Sequence, residues 1–278
     1  MPLRHVPVGR ISAIAAVLVA AFIAVHGQGR PHFRTLDPGL EFAMIRGEPY
    51  CQHGSSQIAV VRLDPARTRL RVRHYTREPG RRPLNILEWQ RSTGALAVFN
   101  AGQYYPDYSY MGLLVSDGAV VSRRLHPRYR AALVAEPVNG GPRARVLDLE
   151  RERLDPNSPG WREVAQSFML FDHTGSLRIR KSTLIAHRTA VAEDHQGRLL
   201  VFTTEGGYTL HEFARLLRDQ PLHLTRAMSM DGGDEAELCV KARGFRYASF
   251  GQWDGGAKAA DAPGAQVPLP AVITVSPE

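Results

Sequence analysis

The sequence predicts an α+β fold, a single domain with a mixed, strand-rich sheet and a few flanking helices. Short alternating or apolar runs typical of strands recur along the chain, whereas helical periodicity is confined to two places. Helices interspersed irregularly among clusters of strands are typical of α+β domains. The sequence contains neither an internal repeat nor a second apolar core with its own linker, so we expect one domain over residues 33–277.

The strands are predicted where β-branched and apolar residues form short runs that end in turn residues. These runs are 57–63, 70–75, 95–100, 112–115, 131–135, 167–171, 199–203, 237–240 and 271–275. Two stretches rich in Pro and Gly, 139–160 and 255–270, are predicted to be surface loops.

Two helices are predicted from their N-terminal caps. Thr209 and Glu212 have the spacing of a capping box and precede an apolar face, which predicts a helix over residues 210–219. Asn85 and Glu88 have the same spacing and predict a weaker helix that continues through Trp89.

Composition limits the class of partner. With 44% hydrophobic residues in a chain of 278, the protein can bury a sizeable core. Its formal charge of +8 comes from 35 basic and 27 acidic residues, and almost all of the basic residues are arginine. These arginines are spread along the chain and not grouped in one arm, so nucleic acid is not a predicted partner. The charge favours anionic partners.

The N-terminus has the pattern of a leader. Arg4 and Arg10 precede an apolar run, 11–25, which is shorter than the roughly 20 residues of a membrane-spanning helix. Residues 1–27 are therefore predicted to be a cleaved signal peptide, with an uncleaved N-terminal anchor as the alternative. The protein is expected to be exported, to the periplasm or outside the cell, and to contact the inner membrane only if the leader is retained.

If the protein is exported, its two cysteines can form a disulfide. Cys51 and Cys239 are the only pair, and an oxidising compartment would allow them to form a disulfide. Two separately buried thiols or a metal pair are the alternatives. The histidines do not have the spacing of a zinc site.

Three stretches combine a predicted strand with polar residues at its end. In the first, Asn100 follows an apolar run, Gly102 permits a tight turn, and a loop with Tyr105 and Asp107 follows. Aromatic faces together with hydrogen-bonding groups suit a sugar. The alternative is a hairpin whose tyrosines cap the core.

The second stretch contains a turn, Asp194 to Gly197, between two predicted strands. This turn places Arg188 at the start of one strand and Glu205 at the end of the other. A guanidinium group can bind phosphate through two parallel hydrogen bonds. In a chain so rich in arginine, an ordinary surface position is the alternative.

The third stretch is a strand that ends in Asp231, Gly232 and Gly233. Glycine lets a ligand approach the backbone closely, and a carboxylate at a strand end can transfer a proton. Asp231 could also hold a divalent cation together with Asp234 and Glu235. An acidic β-turn without chemistry is the alternative.

These stretches resemble a known family. The segments "NAGQYYPDYSYMGLLVSDG", "AQSFMLFDHTGSLRI", "HRTAVAEDHQGRLLVF", "TLHEFARLL" and "AMSMDGGDEAEL" occur in the order found in phosphodiester glycosidases. The resemblance covers about residues 36–275 and is greatest to the bacterial branch associated with exopolysaccharides.

The resemblance implies hydrolysis of a sugar-1-phosphodiester between the anomeric carbon and the phosphate oxygen, with no required cofactor. It implies that Arg188 holds the phosphodiester and that Asp231 is catalytic, with Glu205 or Asp234 as the second carboxylate. The other residues that it places at the substrate are Asn100, Gly102, Gln166, Ser167, Gly232 and Gly233.

Two segments depart from the family pattern. Phe168 stands where a glycine and a proline are common, so that wall of the pocket is expected to differ, and the segment after Gly233 differs as well. Family members often continue the Asp-Gly motif with small residues and serines, whereas Asp234, Glu235 and Ala236 stand here. The added negative charge would repel phosphate unless a divalent cation near Asp231 and Asp234 offsets it. Two other functions therefore stay open: a non-catalytic binder of anionic glycans, and a metal-dependent phosphodiesterase.

Overall fold

Antiparallel strands make up most of the structure. The computed structural model describes residues 30–251 and 267–278. The chain divides after Pro31, and His32–Glu278 forms one compact unit. In chain order the strands are β1 Arg34–Asp37, β2 Leu40–Arg46, β3 His53–Leu63, β4 Thr68–His74, β5 Ala97–Asn100, β6 Leu114–Ser116, β7 Ala119–Ser122, β8 Ala131–Pro137, β9 Ala144–Asp148, β10 Trp161–Ser167, β11 Met169–Phe171, β12 Ile185–Ala186, β13 Arg188–Asp194, β14 Leu199–Thr209, β15 Leu224–Gly232, β16 Leu238–Ala242, β17 Phe245–Ser249 and β18 Ala271–Pro277.

Both predicted helices are present. Helix α1, Ile86–Thr93, begins with a complete capping box, in which Asn85 and Glu88 each accept the other's backbone N–H, at 2.9 and 3.0 Å. Helix α2, Leu210–Asp219, has the predicted bounds. The Thr209 hydroxyl accepts the backbone N–H of Glu212 at 3.2 Å. Local capping signals therefore determine where both helices begin.

The strands form three sheets. The first has the order β1-β2-β3-β14-β13-β15-β11, and β12 also pairs with β14. The second has the order β7-β6-β10-β8-β9, and the third β17-β16-β5-β18-β4.

The prediction of one mixed sheet is corrected by this topology. In the ranges 30–251 and 267–278, every pairing between these strands is antiparallel. Parallel strands need long crossover connections, commonly through a helix. Two short helices among so many strands do not supply such crossovers. The strand-rich character itself is confirmed.

The inner faces of the three sheets pack around a shared apolar core. This core includes Val61 and Met228 of the first sheet, Leu133 of the second, and Phe99 and Ile273 of the third. Helix α2 covers the other face of the first sheet, and α1 covers the outer face of the third. The ends of strands from the first and third sheets consequently come together beside the core.

Some elements differ from the prediction. The predicted surface loop 139–160 contains β9, which pairs with β8 along five residue pairs and contributes Val146 to the core. The prediction contained no strand at β1, β2, β7, β12 or β17, and it contained only the last residue of β10. The run 167–171 spans the end of β10 and the whole of β11. Most of the predicted loop 255–270 lies outside the described residues.

The disulfide prediction is wrong, because both cysteines are free thiols. Cys51 lies against the first sheet, where its thiol donates to the carbonyl oxygens of His53 and Ser55 at 3.3 and 3.5 Å. Cys239 lies in β16 of the third sheet and packs with Ile86 and Trp89 of α1. The two thiols are thus parts of separate apolar clusters.

The leader prediction lies outside the described residues. Within the part of the chain that the structure describes, no helix is both long and apolar enough to cross a membrane.

Candidate active site

The three predicted polar stretches meet at one edge of the fold. Arg188 in β13 pairs directly with Gly232 in β15. The loop after β5 joins them, because the backbone N–H of Asp231 donates to the carbonyl of Ala101 at 3.0 Å. Strand pairing therefore brings together residues that are far apart in sequence, and the register places the arginine beside the Asp-Gly-Gly segment.

Asp231 has an unusual ionisation. Burial raises the pKa of its carboxyl group from the ordinary 3.8 to about 7, and the negative charge of Glu235 contributes to the rise. The backbone N–H of Gly232, which donates to the carboxylate at 2.9 Å, and the cation of Arg188 only partly offset this. Near neutral pH the group can therefore both donate and accept a proton.

Arg188 is a buried cation that can still donate hydrogen bonds to a ligand. Only 7% of the residue is exposed. Its Nε donates to the carbonyl of Tyr208 at 2.9 Å, and its Nη2 to the carbonyl of Leu184 at 2.8 Å. Burial lowers its pKa to about 10, so the group stays charged at neutral pH. No carboxylate in the described ranges forms an ion pair with it. Its remaining amino group, Nη1, is available to an anion.

The glycines leave space around this cation. A Cβ atom added to Gly232 would lie 3.0 Å from the carbonyl oxygen of His187 and 3.1 Å from Nη1 of Arg188. Gly233 has a φ of +77°, which favours glycine, and its N–H donates to the same carbonyl at 3.0 Å. The motif therefore needs glycine for close approach and for its turn.

Asn100 holds the Asp231 segment in place. It is fully buried, and its Nδ2 donates to the carbonyl of Asp231 at 3.0 Å. Its Oδ1 accepts the backbone N–H of Glu237 at 3.2 Å. Its amide is thus used within the protein, and the structure gives it a positioning role.

Gly102 makes a similarly close contact. Its N–H donates to the Tyr110 hydroxyl at 3.1 Å, and an added Cβ would lie 2.4 Å from that oxygen. The same hydroxyl donates to the carbonyl of Gln166 at 2.9 Å. A larger residue at position 102 would displace the loop that contacts Asp231.

The candidates for a second carboxylate lie in different surroundings. Glu205 accepts hydrogen bonds from Ser55 at 3.3 Å and Tyr247 at 2.9 Å. Asp234 is exposed in the turn Gly233–Glu235. Glu235 accepts a hydrogen bond from the Tyr104 hydroxyl at 3.2 Å and is the carboxylate that acts on the pKa of Asp231. Of these three carboxylates, Glu235 is therefore the one whose negative charge raises the pKa of Asp231.

Several residues predicted at the substrate have their polar groups engaged in local contacts. The Gln166 amide accepts and donates within the protein, with Leu113, His126 and Tyr129 as partners. Asp107 accepts the backbone N–H of Ser109 at 3.0 Å in its own loop.

Two further predicted residues contact neighbouring loops. The hydroxyl of Tyr105 accepts a hydrogen bond from Arg124 at 2.8 Å. Ser167 donates to Gln103 at 3.0 Å, and Gln103 donates to the carbonyl of Met230 at 3.1 Å. Ser167 is thus linked through Gln103 to the strand that carries Asp231.

Sequence reasoning missed two titratable residues at this edge. Glu237 is fully buried, and neither of its carboxyl oxygens has a hydrogen-bond partner among the described residues. Burial raises its pKa to about 8, which the nearby Ile86 backbone only partly offsets. His187 precedes the arginine, and its Nδ1–H donates to the carbonyl of Thr204 at 3.1 Å. Burial lowers the pKa of His187. The sequence signal for His187 was its position next to Arg188, whereas Glu237 was marked only by its place at the end of the acidic segment.

A metal site is not evident from the donor set. In residues 30–251 and 267–278, no group of three or more His, Cys, Asp or Glu side chains is placed to hold a metal ion. The divalent cation near Asp231 and Asp234 stays a prediction.

The family follows from a sequence comparison. A sequence model of phosphodiester glycosidases matches residues 93–275, which is well over half of the chain and includes all three polar stretches. The chain belongs to the phosphodiester glycosidase family. No curated protein sequence matches this family member significantly.

Solved structures share the fold at low sequence identity. The catalytic domain of zebrafish N-acetylglucosamine-1-phosphodiester alpha-N-acetylglucosaminidase, auto-inhibited by its pro-peptide, is 15% identical, with a TM-score of 0.59. The match covers 91% of this phosphodiester glycosidase chain and 90% of the zebrafish chain. A hypothetical protein from Synechocystis is 13% identical, with a TM-score of 0.60, over 90% of this chain and 64% of that one. A Burkholderia pseudomallei protein described as exported is 12% identical, with a TM-score of 0.50, over 80% and 75%.

Proposed function

We propose that this protein hydrolyses a glycosyl phosphodiester, with Arg188 binding the phosphate and Asp231 transferring the proton. The observation that carries the proposal is the buried, unpaired Arg188 guanidinium in direct register with the segment that holds Asp231. The family assignment and the activity for which the zebrafish enzyme is named support the same reaction class.

Arg188 would stabilise the leaving group. When the bond between the anomeric carbon and the phosphate oxygen breaks, negative charge grows on the departing phosphate. A cation that is already fixed by carbonyls of Tyr208 and Leu184 needs no reorganisation to meet that charge. Its preorganisation makes it the main source of transition-state stabilisation in this proposal.

Asp231 would act first as an acid. A bound phosphodiester adds negative charge beside it, which raises the carboxyl pKa further above about 7 and keeps the group protonated. Asp231 then gives its proton to the departing phosphate oxygen, and water adds to the anomeric carbon. The proton released from that water restores the acid, so the products are a free sugar and a phosphomonoester.

Export and a cell-surface substrate are part of the proposal. The leader predicted at residues 1–27 and the structural likeness to a protein described as exported support export. A periplasmic or extracellular protein of this family would meet phosphodiester-linked glycans, such as exopolysaccharides, as its substrates.

The test is sugar release from a panel of glycosyl phosphodiesters that includes methyl and UDP esters of N-acetylglucosamine-1-phosphate. We expect Asp231→Asn to lower kcat at least a hundredfold while substrate still binds. Arg188→Lys should lower kcat/KM by a similar factor, because the lysine ammonium cannot keep the carbonyl contacts and also bind phosphate. Arg198→Lys is the matched control, since Arg198 lies beyond the far end of β13 and pairs with Asp194.

Chelator and labelled water distinguish the remaining functions. Oxygen-18 from water should enter the sugar; label in the phosphate, together with loss of activity in chelator, would show a metal-dependent phosphodiesterase. Binding without turnover across the panel would show a non-catalytic glycan binder and would contradict the proposal.

A further inference from the structure

A cavity lies on the outer face of the third sheet, apart from Arg188 and Asp231. It has a volume of about 360 Å³ and lies between α1 and the hairpin of β16 and β17. Its apolar lining comes from Leu87, Cys239 and Ala248, and Arg91, Lys241 and Arg246 also line it. This volume falls in the range of about 300 to 1,000 Å³ that is typical of small-molecule sites.

Strand register explains why the cations converge. Cys239 pairs with Ala248 across the hairpin, and Lys241 pairs with Arg246. Side chains two residues apart on a strand point to the same face, so both pairs face the cavity. Arg91 lies one helical turn after Leu87, on the side of α1 that faces the hairpin.

Within residues 30–251 and 267–278, Lys241 and Arg246 face each other without an acidic partner between them, and Arg91 has only the more distant charge of Glu88 nearby. Like charges directly opposite on two strands destabilise the pair, and Lys241 and Arg246 are such a pair. Among the residues described, none of the three cations forms an ion pair with an acidic side chain. An anion bound between them would remove this repulsion, and the apolar lining beneath would remain available to a hydrocarbon group.

We infer that this cavity binds a single-chain amphipathic anion, with its phosphate or carboxylate head at Lys241, Arg246 and Arg91 and its chain over Cys239 and Ala248. Charge complementarity selects the head group, and the apolar lining selects the chain. The inference does not depend on the proposed hydrolysis, because neither Arg188 nor Asp231 lines the cavity.

The test is calorimetric titration of the full chain with dodecyl phosphate below its micelle concentration. We expect one site per chain. Inorganic phosphate and dodecanol, which each lack one half of the ligand, should bind at least tenfold more weakly. From octyl to dodecyl phosphate the affinity should rise about fourfold for each added methylene until the cavity is filled.

Variants locate the site. Lys241→Ala with Arg246→Ala should weaken binding of dodecyl phosphate at least tenfold. Ala248→Trp should weaken it similarly without changing the charge, and it should fold because position 248 is an exposed strand position. The matched control is Arg34→Ala with Arg67→Ala, which removes the same charge from another arginine-lined cavity.

The binding measurements distinguish three outcomes. Loss of binding in both site variants and not in the control supports the inference. Equal weakening in the control would show general attraction to a basic surface. Several equivalents bound per chain, with no effect of Ala248→Trp, would show detergent-like adsorption. Either of the last two results overturns the inference.

Discussion

At the scale of single residues, burial raises the pKa of the Asp231 carboxyl group. Ionising this group in the folded protein therefore costs stability. Its pKa is raised to about 7, so the folded protein holds this proton more tightly than the unfolded chain does. The stability that the group contributes is therefore complete below about pH 4 and is lost as pH rises through 7. Asp231→Asn removes that loss.

We therefore expect the melting temperature of Asp231→Asn to exceed that of the wild type by a few degrees at pH 8 and to match it more closely at pH 4. Thermal unfolding at both values measures this. The same ionisation predicts that kcat/KM of the wild type falls as pH rises above about 7, because the acid form disappears. A variant that melts below the wild type at pH 8 would contradict this electrostatic explanation.

At the scale of elements, one buried carboxylate links the second sheet to the third. Glu163 in β10 accepts the backbone N–H of Val72 in β4 at 2.9 Å and that of Asp117 at 3.2 Å. Burial raises its pKa to about 7, although Arg71 lies 3.8 Å away. Because the folded pKa exceeds the ordinary 4.5, stability from this group is present below about pH 4.5 and is lost through pH 7.

Glu163→Gln should consequently flatten the pH dependence of stability between about 4.5 and 7. Glutamine keeps an oxygen that can accept from Val72 and Asp117, but it cannot ionise. Urea unfolding of the wild type and the variant at pH 5 and pH 8 measures the difference. Glu136→Gln in β8 is the control, and a variant with the full wild-type pH dependence would assign that dependence to other groups.

The same scale shows what the sequence could predict. Helix α2 has its predicted bounds because a local cap and a local apolar face define it. Strand β9 was predicted as a loop because its five residues include Arg145 and follow a Gly-Pro turn, and only pairing with β8 makes it a strand. Sheet order depends on such long-range pairings, which no local pattern contains.

The candidate site could likewise be predicted from the sequence only in part. The strand-to-glycine pattern made Asp231 a candidate beside the alternative of an acidic turn, and the family resemblance added the roles of Asp231 and Arg188. Their proximity depends on the register of β13 and β15, which pairs Arg188 with Gly232 next to Asp231 and is a property of the folded sheet. Glu237 was missed because its importance comes from complete burial, and burial of a charged residue type is not visible in a short acidic segment.

At the scale of the whole molecule, the shared core joins the three sheets into one packing unit. Phe99 of β5 is fully buried in it, alongside residues from the first and second sheets. Phe99→Ala should lower the free energy of unfolding by about 3 to 5 kcal/mol, the usual range for a buried Phe→Ala change. Because the cluster that contains Phe99 includes residues of all three sheets, we expect a single unfolding transition at lower urea concentration and no separate loss of one sheet.

Urea unfolding followed by both tryptophan fluorescence and far-UV circular dichroism measures this. Leu184→Ala is the control, because Leu184 is 68% exposed and should lose less than about 0.5 kcal/mol. The two probes should give coincident curves for the wild type, Phe99→Ala and Leu184→Ala. Curves that separate in Phe99→Ala would show that the third sheet unfolds independently, and the core would then have to be treated as two cooperative units.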